Sequence, residues 1–169
     1  MLAVAVALTV LRRPTQHETP GGPLAIDHVA DGDTVVLSDH TTIRLVQIDT
    51  PEVYFTPECY GEQASAETKR LLPPGTVVRL LRDPATDDKD VYGRLLRYVI
   101  RASDGLDVNL RLVADGAAAP YFFEGVRGMY AAELLADADA AQAAGRGLWG
   151  ACPGTQLEPD RGVSTGPPS

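Results

Sequence analysis

DGDTVVLSDHTTIRLVQIDTPEV, residues 31–53, is the stretch that decides how this chain folds. Its β-branched runs at 34–38 and 42–48 predict two β-strands, because Val, Ile and Thr pack well on a pleated surface. Ser, Asp and His at 38–40 are residues that favour a tight turn between the two strands. The stretch is therefore expected to form an antiparallel β-hairpin.

Four charged residues lie on or beside this hairpin. Asp33 precedes its first strand, Arg44 lies within its second strand, and Asp49 and Glu52 follow the second strand. Charged groups gathered at one edge are costly to remove from water unless something binds there, so we expect a ligand at this edge. Taken singly, each residue also has a structural explanation: a turn, a helix cap, a solvated loop, or an arginine paired with a nearby carboxylate.

Outward from the hairpin, the sequence predicts three more strands and three helices. The strands are predicted at 24–30, 76–81 and 94–100, and the helices at 61–72, 109–114 and 128–144. Five short strands with one interleaved helix, followed by two more helices, are typical of a small α+β domain built around a curled sheet.

The 169 residues suit one domain with extensions at both ends. Residues 1–11, MLAVAVALTVL, form an apolar segment typical of a signal peptide or membrane anchor, although they would also fit a first helix or strand of the fold. Residues 12–23 are a Pro/Gly-rich linker, the folded domain is expected at 24–153, and the polar residues 154–169 are predicted to be a disordered tail.

The composition limits the kinds of ligand that bulk charge could attract. Lys and Arg number 15 against 23 Asp and Glu, which gives a net charge of −8 at pH 7. A polyanion would therefore be repelled by the molecule as a whole and could bind only at a local basic site.

Several short motifs occur in one order along the chain. They are Asp31-Gly32-Asp33-Thr34, Ile43-Arg44-Leu45, Ile48-Asp49-Thr50-Pro51-Glu52, Tyr60-Gly61 with Ala64-Ser65, Tyr92-Gly93-Arg94 and Gly147-Leu148-Trp149. In this order and at these spacings, over about residues 24–150, the sequence resembles the staphylococcal nuclease (thermonuclease) family. The resemblance implies an α+β fold, specifically a five-stranded OB-fold β-barrel with three α-helices.

The resemblance also implies Ca²⁺-dependent cleavage of DNA and RNA, with the metal bound by the counterparts of Asp33 and Asp49. Carboxylates are hard oxygen ligands, and Ca²⁺ takes about 6 to 8 oxygens. Two carboxylates therefore leave room for water, a substrate phosphate and a backbone carbonyl such as that of Thr50.

The same resemblance assigns the chemistry to Arg44, Glu52 and Arg94. Phosphodiester hydrolysis needs a water to be aimed and deprotonated, which Glu52 can do, and negative charge on the phosphate to be neutralised. The planar donor forks of Arg44 and Arg94 suit phosphate oxygens. We expect Tyr92 and Tyr121 to contact substrate, since aromatic rings stack on any base, with core packing as the alternative.

Two departures from the family put substrate affinity in doubt. The lysine that commonly precedes Tyr-Gly-Arg is replaced by Val91, and the segment 53–59 is too short to form a long basic loop over the site. Lys89 and Arg97 are the candidates to compensate. The expected partner remains DNA and/or RNA, bound by a monomer.

The two cysteines, Cys59 and Cys152, are predicted to lie at the margins of the domain, just before the first helix and just after the third. If they pair, the bond ties down the C-terminus and requires an oxidising compartment. Together with the apolar segment 1–11, this favours an extracytoplasmic protein, secreted or membrane-anchored. Two unrelated buried thiols are the alternative.

A non-catalytic OB-fold module that only binds nucleic acid is the main rival function. It would be favoured if a catalytic acid or arginine were missing, and each position is filled. Glu67-Thr68-Lys69 has the Glu-x-Lys form of another nuclease class, but it falls on a predicted helix, where its carboxylate would not join Asp49.

Overall fold

The structure, a computed structural model, describes residues 24–168. The predicted apolar segment 1–11 and the linker 12–23 lie outside the described residues. Within 24–168, no helix is both long and apolar enough to cross a membrane.

Between Leu24 and Pro168 the chain forms seven strands, four α-helices and one short 3₁₀ helix (Phe123–Gly125). The strands are β1 (Leu24–Val29), β2 (Thr34–Leu37), β3 (Thr42–Leu45), β4 (Ile48–Asp49), β5 (Val77–Leu81), β6 (Leu95–Arg101) and β7 (Ala119–Pro120). The helices are α1 (Gly61–Leu71), α2 (Val108–Ala114), α3 (Ala131–Ala143) and α4 (Leu148–Ala151). The short helix α4 was not predicted from the sequence, and neither was the β4–β7 pair.

Five strands close into a barrel in the order β1, β2, β3, β6, β5. The β1–β2–β3 meander is antiparallel, as the hairpin pattern predicted, and the barrel is completed by a parallel pair in which Ile43 of β3 faces Leu95 of β6. An irregularity between Ile26 and His28 bends β1, so that its first residues pair with β5 while its last residues pair with β2. The predicted α+β class and five-stranded OB-fold barrel are confirmed.

The side chains of β3 alternate between the core and the outside. Ile43 and Leu45 are fully buried in the barrel, whereas Arg44 between them points the other way and is only partly buried. This alternation follows from the two-residue repeat of a β-strand. It presents Arg44 on the outer face of the barrel, beside Thr34 at the start of β2.

The strand predicted at 42–48 is interrupted. Its regular pairing ends at Leu45, and Gln47 adopts a left-handed conformation with φ of 63°. The buried Gln47 side chain donates to the Val126 carbonyl at 2.8 Å and accepts from the Gly128 amide at 2.7 Å. These distant partners offset the strained backbone, and the bend sends Ile48 and Asp49 to pair with β7 instead.

Cys59 and Cys152 form a disulfide, with 5.9 Å between their Cα atoms. The predicted pairing is thus confirmed. The bond joins the residues before α1 to the end of α4, next to a small buried cluster that includes Leu148 and Val163.

The segment 154–168, which composition predicted to be disordered, follows a defined path against the domain. It lacks helices and strands, but Val163 and Thr165 are buried, and its backbone is hydrogen-bonded to Asp49, Cys59 and Phe122 of the domain. Composition favoured disorder because the segment is polar and rich in Pro and Gly. The contacts that order it come from residues far away in sequence.

Candidate active site

Arg44 is the centre of the site. Its Nη1 donates to the carbonyl oxygens of Leu45 and Ile48, both at 2.8 Å, which fixes the guanidinium on the barrel. Its Nη2 lies 2.8 Å from Asp49 Oδ1 and 3.0 Å from Asp33 Oδ2. One guanidinium nitrogen therefore bridges the two carboxylates that the sequence singled out, and these face each other across it.

Asp33 is held by the turn that precedes β2. Asp31 Oδ1 accepts from the backbone amides of Asp33 and Thr34, which shapes this turn. The buried Asp33 carboxylate accepts at Oδ2 from the Thr50 amide and hydroxyl, both at 3.0 Å. Gly32 is required here because a Cβ at this position would collide with the Thr50 side chain.

Asp49 is the last residue of β4, opposite Ala119 of β7. Its two carboxylate oxygens have different partners: Oδ1 accepts from Arg44, and Oδ2 accepts from the Val163 amide at 2.9 Å. The short β4–β7 pair thus positions Asp49 near Asp33. Its second donor, the Val163 amide, comes from the C-terminal segment.

Burial dominates the electrostatics of the acid pair. Desolvation, opposed by the Arg44 charge, raises the pKa of Asp33 to about 7. The pKa of Asp49 is also raised above its usual value by burial, again against the effect of Arg44. Arg44 has a raised pKa because the charges of Asp33 and Asp49 outweigh its own burial. When both carboxylates are ionised, their two negative charges exceed the single positive charge of Arg44, and the excess can attract a cation.

Glu52 lies on the loop after β4, with its side chain exposed. Its backbone is held at both ends, since its amide donates to Glu58 Oε2 at 3.0 Å and its carbonyl accepts from the Glu58 amide at 2.9 Å. The pKa of Glu52 is raised, first by partial burial and then by the charges of Asp49 and Asp31. The Glu52 carboxylate is thus close enough to the acid pair to feel its charge while remaining open to water.

The start of α1 packs against the backbone of Glu52. Gly61, its first residue, packs directly against the Glu52 carbonyl, where a Cβ would collide. Farther along the helix, Thr68 donates from Oγ1 to the Gly32 carbonyl at 2.5 Å. Helix α1 therefore contacts both segments that carry the acids.

Arg94 reaches the same edge of the barrel from β6. It immediately precedes Leu95, which is paired with Ile43 of β3. Arg94 Nε lies 2.6 Å from Asp90 Oδ2, and its Nη1 donates to Thr34 Oγ1 at 3.3 Å. Thr34 in turn donates to Asp33 Oδ1 at 3.3 Å, so one hydroxyl links the second arginine to the acid pair.

The two predicted substrate-contacting tyrosines lie in different settings. Tyr92 is 81% exposed, with the Arg94 guanidinium 5.4 Å from its ring centroid. Tyr121 is half-buried, and its ring meets that of the exposed Phe123 edge to face, with 6.3 Å between centroids. Tyr92 thus lies on the Arg94 side of the site, and Tyr121 on the Asp49 side, next to Gly162.

Arg97 cannot take the place of the missing family lysine. Its side chain is 4% exposed, and its Nη2 lies 2.6 Å from Asp88 Oδ1. The expectation that Arg97 compensates was therefore wrong, because its strand position turns it towards Asp88 and the protein interior.

The donor set fits a hard divalent cation. Asp33 and Asp49 converge, and Thr50 lies directly against Asp33. No cluster of three or more His, Cys, Asp or Glu side chains suited to a metal occurs among residues 24–168. Two carboxylates with backbone and water oxygens suit Ca²⁺ or Mg²⁺, whereas a zinc site would need His or Cys ligands.

Sequence reasoning missed three contributors: Thr34, Asp90 and the Gly162–Val163 backbone. Asp90 could have been found, because it stands four residues before Arg94 in a turn whose amides its Oδ1 also accepts from. Thr34 could have been found from the pairing of β2 with β3, which sets it opposite Arg44. Nothing local marks Val163, which lies far along the chain from Asp49.

A closed five-stranded barrel with an acid pair, two arginines and a glutamate at one edge defines an OB-fold protein that carries a cluster of charged side chains on the barrel. The family described as Staphylococcal nuclease homologue matches residues 42–151, and the chain belongs to this family. The matched range includes Arg44, Asp49, Glu52 and Arg94, while Asp33 lies before it.

Two curated relatives support the assignment. The chain is 38% identical over 125 residues to "Endonuclease YhcR" of Bacillus subtilis (strain 168), in an alignment covering 63% of this chain and 10% of that much longer protein. It is 28% identical over 137 residues to "Thermonuclease" of Staphylococcus intermedius, covering 73% of this chain and 79% of that protein.

Proposed function

We propose that this chain is a nuclease that hydrolyses phosphodiester bonds of DNA and/or RNA, with Ca²⁺ as its metal. One observation carries the proposal: the carboxylates of Asp33 and Asp49 converge on Arg44, with Glu52 beside them and Arg94 linked through Thr34. The names of the two relatives, an endonuclease and a thermonuclease, support the same reaction.

Asp33 and Asp49 would hold the cation, and the backbone carbonyl of Thr50 is the third protein oxygen we assign to it. When bound, the cation supplies positive charge for the phosphate oxygens and makes a bound water easier to deprotonate. Folding has already removed most water from these buried carboxylates. Binding of the cation would therefore cost little further desolvation of Asp33 and Asp49.

Glu52 is the proposed general base. Its exposed carboxylate can reach water, and its raised pKa brings it nearer to neutrality, where a base accepts a proton more readily. The two backbone hydrogen bonds to Glu58 hold its main chain still. A fixed main chain limits the positions that the Glu52 carboxylate can take, which lowers the entropy cost of aiming water at a phosphorus atom.

Arg44 and Arg94 are the proposed phosphate-binding residues. Each is already paired with carboxylates, Arg44 with Asp33 and Asp49, and Arg94 with Asp90. These pairs hold the guanidinium groups in position before substrate binds. Phosphate binding then requires part of each carboxylate contact to be exchanged for a phosphate oxygen, which limits affinity but favours the more highly charged transition state.

A digestion assay tests this function directly. Linear and plasmid DNA and a structured RNA are incubated with the protein in Ca²⁺, in Mg²⁺ and with a chelator. We expect cleavage with Ca²⁺ that the chelator abolishes, and a loss of about 10²- to 10⁴-fold in kcat for Glu52→Gln. Arg94→Ala should cost a comparable factor through lost charge stabilisation.

Matched variants separate chemistry from folding. Glu62→Gln removes an acid on the exposed side of α1, and Arg70→Ala removes a surface arginine paired with Glu67. Both should keep parental activity. Cleavage that survives the chelator, Glu52→Gln and Arg94→Ala would reject the assignment, and binding of nucleic acid without any cleavage would favour the alternative OB-fold binding module.

We also propose that the protein works outside the cytoplasm, secreted or membrane-anchored. The disulfide between Cys59 and Cys152 supports this, because such bonds persist in oxidising compartments. Fractionation of cells that express the chain with its own N-terminus, with mass measurement before and after reduction, tests the proposal. A cytoplasmic protein carrying two free thiols would contradict it.

A further inference from the structure

We propose that residues 159–166, the C-terminal strap, are a positioning element of the metal site: the Val163 amide orients the Asp49 carboxylate for the cation. This inference rests on the proposed function and adds to it a part of the chain that lies outside the family match, which ends at residue 151.

The strap is attached to the domain along its whole length. The contacts are Phe122 N to Pro159 O at 2.6 Å, Arg127 to Asp160 at 3.2 Å, Ser164 Oγ to Glu58 Oε1 at 3.1 Å, Thr165 Oγ1 to Cys59 O at 2.6 Å, and Cys59 N to Gly166 O at 2.7 Å. Because both ends are anchored, the middle of the strap is held against Asp49.

At Asp49 the strap makes one directional contact. The Val163 amide donates to Oδ2 at 2.9 Å, while Arg44 donates to Oδ1 at 2.8 Å. Two donors on different oxygens fix the rotation of the carboxylate. Ligand carboxylates in metal sites are commonly oriented by such outer hydrogen bonds, and their loss typically weakens metal binding 10- to 100-fold.

The approach of the strap depends on Gly162. This residue has φ of +80°, and a Cβ on it would lie 2.7 Å from Asp49 Oδ2 and 3.7 Å from Tyr121 Cδ2. A side chain there would push against the carboxylate itself. The strap therefore packs closely against Asp49, and the contact is specific to this residue.

The contacts of the strap indicate that it supports Asp49 and does not block the access of substrate. It contacts Asp49 at Oδ2, and the Glu52 side chain remains exposed beside it. Arg94, which lies over the Tyr92 ring, is connected through Thr34 to Asp33 and not to the Asp49 carboxylate that the strap contacts. The face on which water and phosphate would meet is thus left open.

Gly162→Ala and Gly166→Ala form the matched pair that tests the strap. Both glycines have positive φ, +80° and +73°, so both variants carry similar backbone strain, but a Cβ at Gly166 meets nothing within 4 Å. Ca²⁺ binding is measured by calorimetry on the full chain, together with thermal midpoints and the Ca²⁺ concentration that gives half-maximal cleavage. We expect Gly162→Ala to raise the Ca²⁺ Kd by at least about tenfold relative to Gly166→Ala.

A chain ending at Glu158 provides the second test, because it lacks the strap but keeps both cysteines. It too should bind Ca²⁺ more weakly, and saturating Ca²⁺ should restore much of its cleavage rate. Equal Ca²⁺ Kd values for Gly162→Ala and Gly166→Ala would refute the strap's role. If the truncated chain cleaved faster than the parental chain, the strap would inhibit the site instead of positioning Asp49.

The same measurements distinguish this inference from the proposed function. A parental chain that binds Ca²⁺ and cleaves nucleic acid while the glycine pair behaves alike refutes the strap alone. A parental chain that binds no Ca²⁺ refutes the Ca²⁺-dependent function, and the strap's role falls with it.

Discussion

At the scale of single residues, Asp33 shows how burial and hydrogen bonding oppose each other. Its Oδ2 receives three donors, the Thr50 amide, the Thr50 hydroxyl and Arg44 Nη2, all of which favour the ionised form. Burial favours the neutral form, and the balance raises its pKa to about 7. Binding of the proposed cation would therefore displace a proton from Asp33 near neutral pH.

We therefore predict that Ca²⁺ affinity rises with pH. The proton competes for Asp33 below its raised pKa of about 7, so the Ca²⁺ Kd should fall roughly tenfold per pH unit between about 5 and 7 and level off above that. Calorimetry in buffers of different ionisation enthalpy should show close to one proton released at pH 6. A Kd that is independent of pH would contradict this linkage.

At the scale of elements, α1 fits the site because of how it begins. Its N-cap residue, Tyr60, is left-handed with φ of 71° and makes no side-chain cap, so no capping hydrogen bond favours this start. The Glu52 carbonyl instead packs on Gly61, and the buried Thr68 contacts the Gly32 carbonyl. The helix thus loses capping energy, on the order of 1 kcal/mol, and gains contact with the loop that carries the proposed base.

We predict that Gly61→Ala raises the activation free energy of cleavage by more than it lowers the free energy of unfolding. The new Cβ would displace the Glu52 backbone, and a misplacement near 1 Å can cost about 10²-fold in rate. Steady-state kinetics at saturating Ca²⁺ would measure the loss. Gln63→Ala, an exposed change in the same helix turn, is the control, and equal kcat values for the two variants would show that Gly61 does not position Glu52.

At the scale of the whole molecule, the disulfide and the strap hold the C-terminal part of the chain on the barrel. The bond connects residues 93 positions apart, and Cys59 is also hydrogen-bonded to Thr165 and Gly166 of the strap. The acid pair therefore depends on segments from both ends of the described chain, Asp33 near the start and Val163 near the end.

We predict that the double variant Cys59→Ser/Cys152→Ser lowers the free energy of unfolding by up to about 4–5 kcal/mol, the loop-closure estimate for a loop of this length. Denaturant titration of the double variant, with the reduced parental chain as a second comparison, would measure it. A change below about 1 kcal/mol would mean that the folded contacts around α4 already hold this region without the bond.

Much of the fold was predictable because it follows from local sequence patterns. The alternation in β3 placed Ile43 and Leu45 inside and Arg44 outside, and the apolar spacing of 61–72 matched α1 closely. The strand predicted at 42–48 ended early because the partners of Gln47 lie about 80 residues away, at Val126 and Gly128. A local pattern carries no information about such partners.

The sequence by itself indicated the strands of the barrel and the candidate acids and arginines, because strand periodicity and motif order depend on neighbours along the chain. It left open whether Cys59 and Cys152 pair, and the structure joins them. Only the tertiary structure decided that Arg97 turns inward, that Thr34 links Arg94 to Asp33, and that Val163 holds Asp49. The physical reason is distance along the chain: the Val163 amide and the Asp49 carboxylate are 114 residues apart, and folding alone makes them partners.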